Sequence, residues 1–212
     1  MRHRPLVFLS AAASLAYLLA QRWPPFPAIA LLKGVPVGAL ALLALLSRGK
    51  RHDAGVLALG LAFSTAGDIL LDVDARFFVF GLGAFLMAHL TYICLFVRNR
   101  VGAIRLDPPL LAAVLLVVAF SATLSAWIVP SVGDLAVPVI LYIAAITAMV
   151  CTAMVGRFQQ RWVAVGALLF LISDSLLAIN KFKTPVPLRD YLVWITYYLG
   201  QCGIALGYLE SA

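Results

Sequence analysis

The sequence predicts an all-α integral membrane protein, a bundle of about eight transmembrane helices forming a single domain over residues 1–212. Composition is the first observation: 64% of residues are hydrophobic, 12% are charged, and the mean hydropathy is +1.03. Soluble domains have about 45–50% apolar and about 25% charged residues, so a water-soluble globule and a disordered chain are both excluded. Length is the second. A helical span needs about 20 apolar residues, so the chain holds about eight spans and short loops, with nothing left for an extramembrane domain. The third is pattern: the apolar runs are continuous rather than alternating, which does not support a β-barrel.

The spans fall at about 5–21, 28–47, 54–72, 77–97, 108–128, 134–155, 162–180 and 191–209, with boundaries good to a few residues. The first has a basic start and small residues like a secretory leader, but its apolar stretch from Pro5 to Ala20 is long enough to be retained as a helix. Trp23-Pro24-Pro25 breaks the chain before the second span, and Arg48-Gly49-Lys50-Arg51 before the third. Asp72 to Arg76 makes a tight turn, Arg98 to Pro109 is the longest basic loop, and Pro130 to Asp134 is a short turn. Arg157 to Arg161 makes another turn, and Lys181 to Asp190, with Pro185 and Pro187, leads into the last span. Gly67-Asp68-Ile69-Leu70-Leu71 and Ser173-Asp174-Ser175-Leu176-Leu177 lie four spans apart, a faint echo of a parallel repeat.

The net charge of +7 sits mostly in these loops, where it sets topology rather than marking a nucleic-acid partner. One side carries ten basic residues: Arg2, Arg4, Arg48, Lys50, Arg51, Arg98, Arg100, Arg105, Arg157 and Arg161. The other carries five: Arg22, Arg76, Lys181, Lys183 and Arg189. The positive-inside rule then puts both termini in the cytoplasm, and the expected location is a bacterial inner membrane.

Cys94, Cys151 and Cys202 all lie in apolar runs, which suits small buried residues rather than disulfides or a metal site. His3, His52 and His89 fall at a terminus, in a loop and in a span, so a three-histidine zinc site is not expected. No HExxH, GxSxG or P-loop pattern occurs, and neither a metal nor a cofactor is expected.

The informative residues are ionisable ones inside spans: Lys33, Asp68, His89 and Asp174. A charge at mid-bilayer costs at least about 2.5–3.5 kcal/mol, so each must face the interior, find a partner or lose its charge. At about 1.5 Å per residue, Asp68 lies roughly 21 Å, Lys33 roughly 20 Å and Asp174 roughly 18 Å from the cytoplasmic face, with His89 near mid-membrane. Helical spacing adds a stripe Phe78, Gly81, Phe85, His89, Tyr92 and another of Trp194, Tyr198, Gln201, Tyr208. Ser64, Asp68 and Asp72 align on the third span, and Asp174 shares a face with Lys181. Rings beside donors and acceptors suit a cavity for an amphiphile. Isolated polar residues of this kind also serve as helix–helix partners, an Asp–Lys pair can be purely structural, and Lys33 can snorkel outward. Asp72, Asp74, Asp107, Asp134 and Asp190, at span ends or in loops, are expected to be solvated. Serine catalysis through Ser173 or Ser175 would have only His89 as a histidine base.

Several stretches occur together in a telling order: Leu32-Lys33 through Pro36, Ser64 to Leu71 with Gly67-Asp68, and Phe78-x-x-Gly81-x-x-x-Phe85-x-x-x-His89-x-x-Tyr92. They are followed by Gly166 through Ser173-Asp174-Ser175 to Ala178, then Lys181-Phe182, and finally Tyr198-x-x-Gln201. In this the chain resembles the YhhN-like lysoplasmalogenase family of small polytopic membrane proteins. The resemblance implies hydrolysis of the vinyl-ether bond of lysoplasmalogens to a fatty aldehyde and glycerophosphoethanolamine or glycerophosphocholine. It maps the two intramembrane aspartates onto Asp68 and Asp174. Vinyl-ether hydrolysis needs a proton donor and a group to guide water, and two carboxyls in a water-poor cavity supply both. Lys33 is expected to contact phosphate or act as a counter-charge, and His89, Tyr198 and Gln201 to hydrogen-bond the aspartates, water or head group. Tyr92, Ser173 and Lys181 complete the expected substrate-binding set. The partners are then a lysophospholipid and the bilayer. The alternatives are a small proton-coupled transporter and a non-catalytic lipid-binding protein.

Overall fold

The computed structural model describes residues 4–22, 28–49, 51–100, 102, 107–156, 158 and 160–210. The Trp23-Pro24-Pro25 break and the basic residues Arg2, Lys50, Arg105 and Arg157 lie outside them, as does His3. Eight α-helices appear in order: α1 (Arg4–Ala20), α2 (Ile29–Leu46), α3 (Ala54–Val73), α4 (Phe78–Arg98), α5 (Pro108–Ile128), α6 (Ala136–Val155), α7 (Trp162–Phe182) and α8 (Arg189–Glu210). Short 3₁₀ turns at Ala75–Phe77, Val129–Ser131 and Gly133–Leu135 are the other regular elements, and the described residues contain no strand. Every predicted span is present, displaced by at most two residues at an end. Among the described residues, seven stretches are long and apolar enough to cross a membrane, and α1, at 17 residues, is a shorter apolar helix. Large apolar side chains such as Phe8, Leu116, Phe80 and Val137 point outward, as a lipid-facing surface requires.

The chain divides into two compact units, Met1–Leu95 with Ala212, and Phe96–Ser211. In the first, α1 packs on α2, α2 on α3 and α3 on α4. Ser10 on α1 donates its hydroxyl hydrogen to the Pro36 carbonyl on α2 at 2.8 Å. Gly67 lets the Phe85 ring lie against α3; a Cβ there would sit 2.6 Å from the ring carbons. The turn from α3 to α4 is closed by Asp74, whose carboxylate accepts from the Arg76 backbone N–H at 2.8 Å and from its guanidinium at 3.1 and 3.2 Å. The Arg76 side chain, then its backbone N–H, holds the Asp74 carboxyl below its usual value.

In the second unit, α5 packs on α6, α6 on α7, and α7 runs antiparallel to α8 along most of its length. Leu124, Ile128, Val132 and Val139 make a buried apolar cluster that Ile179 and Phe182 cover from α7. The α7–α8 crossing is backbone against backbone: a Cβ at Gly166 would stand 2.6 Å from the Gly200 carbonyl oxygen and the Ile204 nitrogen. Small residues at such a crossing replace the hydrophobic effect, absent between helices in lipid, with close packing. After α7 the chain turns on Asn180, whose Oδ1 accepts from the Val186 N–H at 3.1 Å. It then enters α8 through Leu188, a non-glycine residue at φ 54°.

Candidate functional site

The first unit holds a polar column on α3. Ser64, Asp68 and Asp72 recur every four residues, so they share one face. Ser64 and Asp68 are buried, Asp68 with only 2% of its surface exposed. Neighbouring helices are registered by their close approaches. On α4, Phe85 meets Gly67 and Tyr92 meets Gly60, which sets His89 at the level of Phe63, more than one turn below Asp68. His89, Phe85 and Tyr92 are buried, as the stripe predicted, while Val79, Phe80, Met87 and Leu90 face outward.

On α2, Gly34 meets Ile69 and Gly38 faces Thr65, so Lys33 lies at the level of Leu70. Its side chain reaches toward the end of α3, where Nζ lies 2.7 Å from Asp72 Oδ1. The Tyr17 hydroxyl, from α1, donates to Asp72 Oδ2 at 3.1 Å, and the Lys33 ammonium lies 5.9 Å from the Tyr17 ring centroid. Asp72 thus corrects an expectation. It is not a solvated span-end residue, because α3 continues through Val73 and carries its carboxylate into an ion pair between helices. Tyr17 was not singled out by sequence at all: a lone tyrosine in an apolar run has no signature until its partner 55 residues away is known.

The second unit holds Asp174, partly buried on α7. The hydroxyl of Tyr142, buried on α6, donates to Asp174 Oδ2 at 2.5 Å. Sequence reasoning missed Tyr142 too, since it sits among core positions of α6 such as Val139 and Ile146. Ser173 donates to the Val193 carbonyl at 3.0 Å, a bond between α7 and α8. Ser175 bonds its own helix at Leu171 O, 2.7 Å away. Gln201 is buried, and Tyr198 stacks on Trp194 with centroids 6.1 Å apart and planes 10° from parallel. Lys181 is exposed. Nearby Lys183 reaches Ser131 Oγ at 2.5 Å and the Trp127 ring at 5.6 Å. Among the described residues no three His, Cys, Asp or Glu side chains come together as metal ligands.

The first unit therefore carries two aspartates on α3, Asp68 above His89 and Asp72 paired with Lys33, and the second carries Asp174 on α7 bonded to the Tyr142 hydroxyl. Carboxyl groups in such settings serve as proton donors, as proton acceptors, or as anchors for polar ligands.

Comparison with known proteins gives a consistent picture. The YhhN family model matches residues 28–208, most of the chain. A lysoplasmalogenase of Mycobacterium bovis is 38% identical over 152 residues, covering 70% of this chain and 58% of its own length. The chain thus spans less than two thirds of that relative. Lysoplasmalogenase TMEM86A of Bos taurus is 34% identical over 197 residues, covering 86% of this chain and 78% of its own length. Lysoplasmalogenase TMEM86B of Homo sapiens is 33% identical over 182 residues, covering 86% of this chain and 76% of its own. No solved structure matches the chain.

Proposed function

The chain belongs to the YhhN family, and from that premise we propose that it is an intramembrane hydrolase cleaving the vinyl-ether bond of lysoplasmalogens. The products are a fatty aldehyde and glycerophosphoethanolamine or glycerophosphocholine. The observation that carries this reading is the similarity to bacterial and mammalian proteins named lysoplasmalogenase, two of which extend over 86% of the chain.

The chemistry asks for little machinery. A proton is added to the outer alkene carbon, leaving an oxocarbenium ion. Water adds to that cation and loses a proton, and the hemiacetal collapses to aldehyde and free glycerol hydroxyl. One carboxylic acid supplies the first proton, and one carboxylate guides the water, takes its proton and stabilises the cation. In this reading Asp68 and Asp174 are those groups. Asp174 accepts a hydrogen bond from Tyr142, which suits a carboxylate, so Asp174 is assigned to the water and Asp68 to the proton. Lys33, His89, Tyr92, Ser173, Lys181, Tyr198 and Gln201 are proposed as substrate-binding residues. The protein is placed in a cytoplasmic membrane with both termini in the cytoplasm, which the excess of basic residues in one set of loops supports.

The test is mass spectrometry of a lysolipid panel incubated with the purified chain. Aldehyde and glycerophospho-head-group from 1-alkenyl lysolipids are the expected products. Lipid that is bound, or moved across a liposome, but recovered intact would contradict the proposal.

A further inference from the structure

The cluster at the C-terminal end of α3 has a chemistry that proton transfer leaves unused. Lys33 and Asp72 present one cation and one anion, 2.7 Å apart and fixed between two helices. Their side chains keep 16% and 24% of their surface exposed, so the pair is reachable. The Tyr17 hydroxyl holds Asp72 Oδ2 and leaves the Oδ1 side to the ammonium. One turn beyond Tyr17, the buried amide of Gln21 offers a donor and an acceptor that the described residues leave unused. Such an arrangement complements a zwitterion.

Its height above Asp68 fits as well. Asp68 and Asp72 are four residues apart on one face, an advance of about 6 Å along the helix. The glycerol segment between the sn-1 ether oxygen and the phosphorus of a lysophospholipid covers a comparable length when extended. A lipid with its vinyl ether beside Asp68 therefore carries its phosphate to the level of Lys33 and Asp72.

We propose that Lys33 and Asp72 form a head-group site for zwitterionic lysolipids, Lys33 taking the phosphate and Asp72 the ammonium. This rests on the reading of Asp68 as a reacting carboxyl. In the free protein the two charges neutralise each other, because an unpaired charge in a half-buried setting is costly. Phosphoethanolamine or phosphocholine exchanges that pair for two new ones and leaves no charge uncompensated. A phosphoglycerol head brings an anion without a cation. It takes Lys33 and strands Asp72 beside a second negative charge, so it is discriminated against. Tyr17 is the positioning residue that keeps Asp72 oriented while Lys33 turns to the phosphate.

The experiment measures binding of saturated 1-O-alkyl lysolipids, which lack the reactive alkene, to the full chain in detergent by native mass spectrometry. Phosphoethanolamine and phosphoglycerol head groups are compared. The wild-type chain is expected to prefer phosphoethanolamine. D72N is expected to lose that preference, with at least tenfold weaker phosphoethanolamine binding and unchanged or tighter phosphoglycerol binding, and D72E to restore it. Y17F, which removes only a hydroxyl, is expected to weaken phosphoethanolamine binding about threefold and leave phosphoglycerol binding alone; it carries the test if D72N does not fold. No preference in the wild-type chain, or equal losses for both head groups in the variants, overturns the proposal and leaves the pair as a brace between α2 and α3. Because the ether analogues bind without reacting, failure of the hydrolase reading shows separately, as absence of aldehyde from 1-alkenyl substrates.

Discussion

Tyr142 on α6 gives its phenolic hydrogen to Asp174 on α7 at 2.5 Å, with the tyrosine buried. The bond fixes the orientation of the carboxylate. A hydrogen bond to a charged group is worth about 1.5–3 kcal/mol, or roughly a ten- to hundredfold change in rate where that group acts in the reaction. Y142F is therefore expected to lower kcat for aldehyde release by that factor while KM stays near the wild-type value. A parallel rise in KM with kcat unchanged would show that Tyr142 shapes binding instead.

The α7–α8 crossing should be intolerant of any side chain. A Cβ at Gly166 would press on the Gly200 carbonyl at 2.6 Å, and backbone on both sides has no rotamer to yield. G166A is expected to destabilise the protein by about 1–3 kcal/mol through forced separation of the helices. Thermal unfolding in detergent checks this, and a melting temperature equal to wild type would contradict it.

Leu188 is the opposite case. It holds a left-handed backbone at φ 54° and is 70% exposed, so its side chain contributes little packing. The left-handed conformation costs an L-residue about 1–2 kcal/mol, and glycine's greater freedom when unfolded offsets part of the relief. L188G is expected to raise the melting temperature by about 2–4 °C, a shift of the size that about 1 kcal/mol gives in a chain of this length. A lower melting temperature would mean that Leu188 packs where the structure shows it exposed.

The helices were legible in the sequence because continuous apolar runs punctuated by Pro, Gly and Arg leave few other solutions in lipid. Asp68 and His89 were legible because ionisable groups stand out in such runs, and the structure buries both. What the sequence hid were partnerships. Tyr17 and Lys33 reach Asp72 across 55 and 39 residues, and Tyr142 reaches Asp174 across 32. A tyrosine at a core position of a helix looks the same whether its hydroxyl meets a carboxylate or a carbonyl. Asp72 closes the predicted span 54–72, where a carboxylate is expected to meet water; its partial burial comes from partners the sequence does not reveal, Lys33 on α2 and Tyr17 on α1. The bond from the Ser173 hydroxyl to the Val193 carbonyl, between α7 and α8, is another partnership across helices that the sequence did not reveal.

The central claim is that Asp68 and Asp174 carry the chemistry, and aldehyde release from a 1-alkenyl lysophosphoethanolamine by purified D68N and D174N measures it most directly. Asparagine keeps the shape of each side chain but can neither give up an acidic proton nor act as a base. Loss of a general acid or base predicts a fall in kcat of about 10²–10⁴-fold in each variant, at unfolding temperatures close to wild type. Wild-type turnover by either variant would contradict the account.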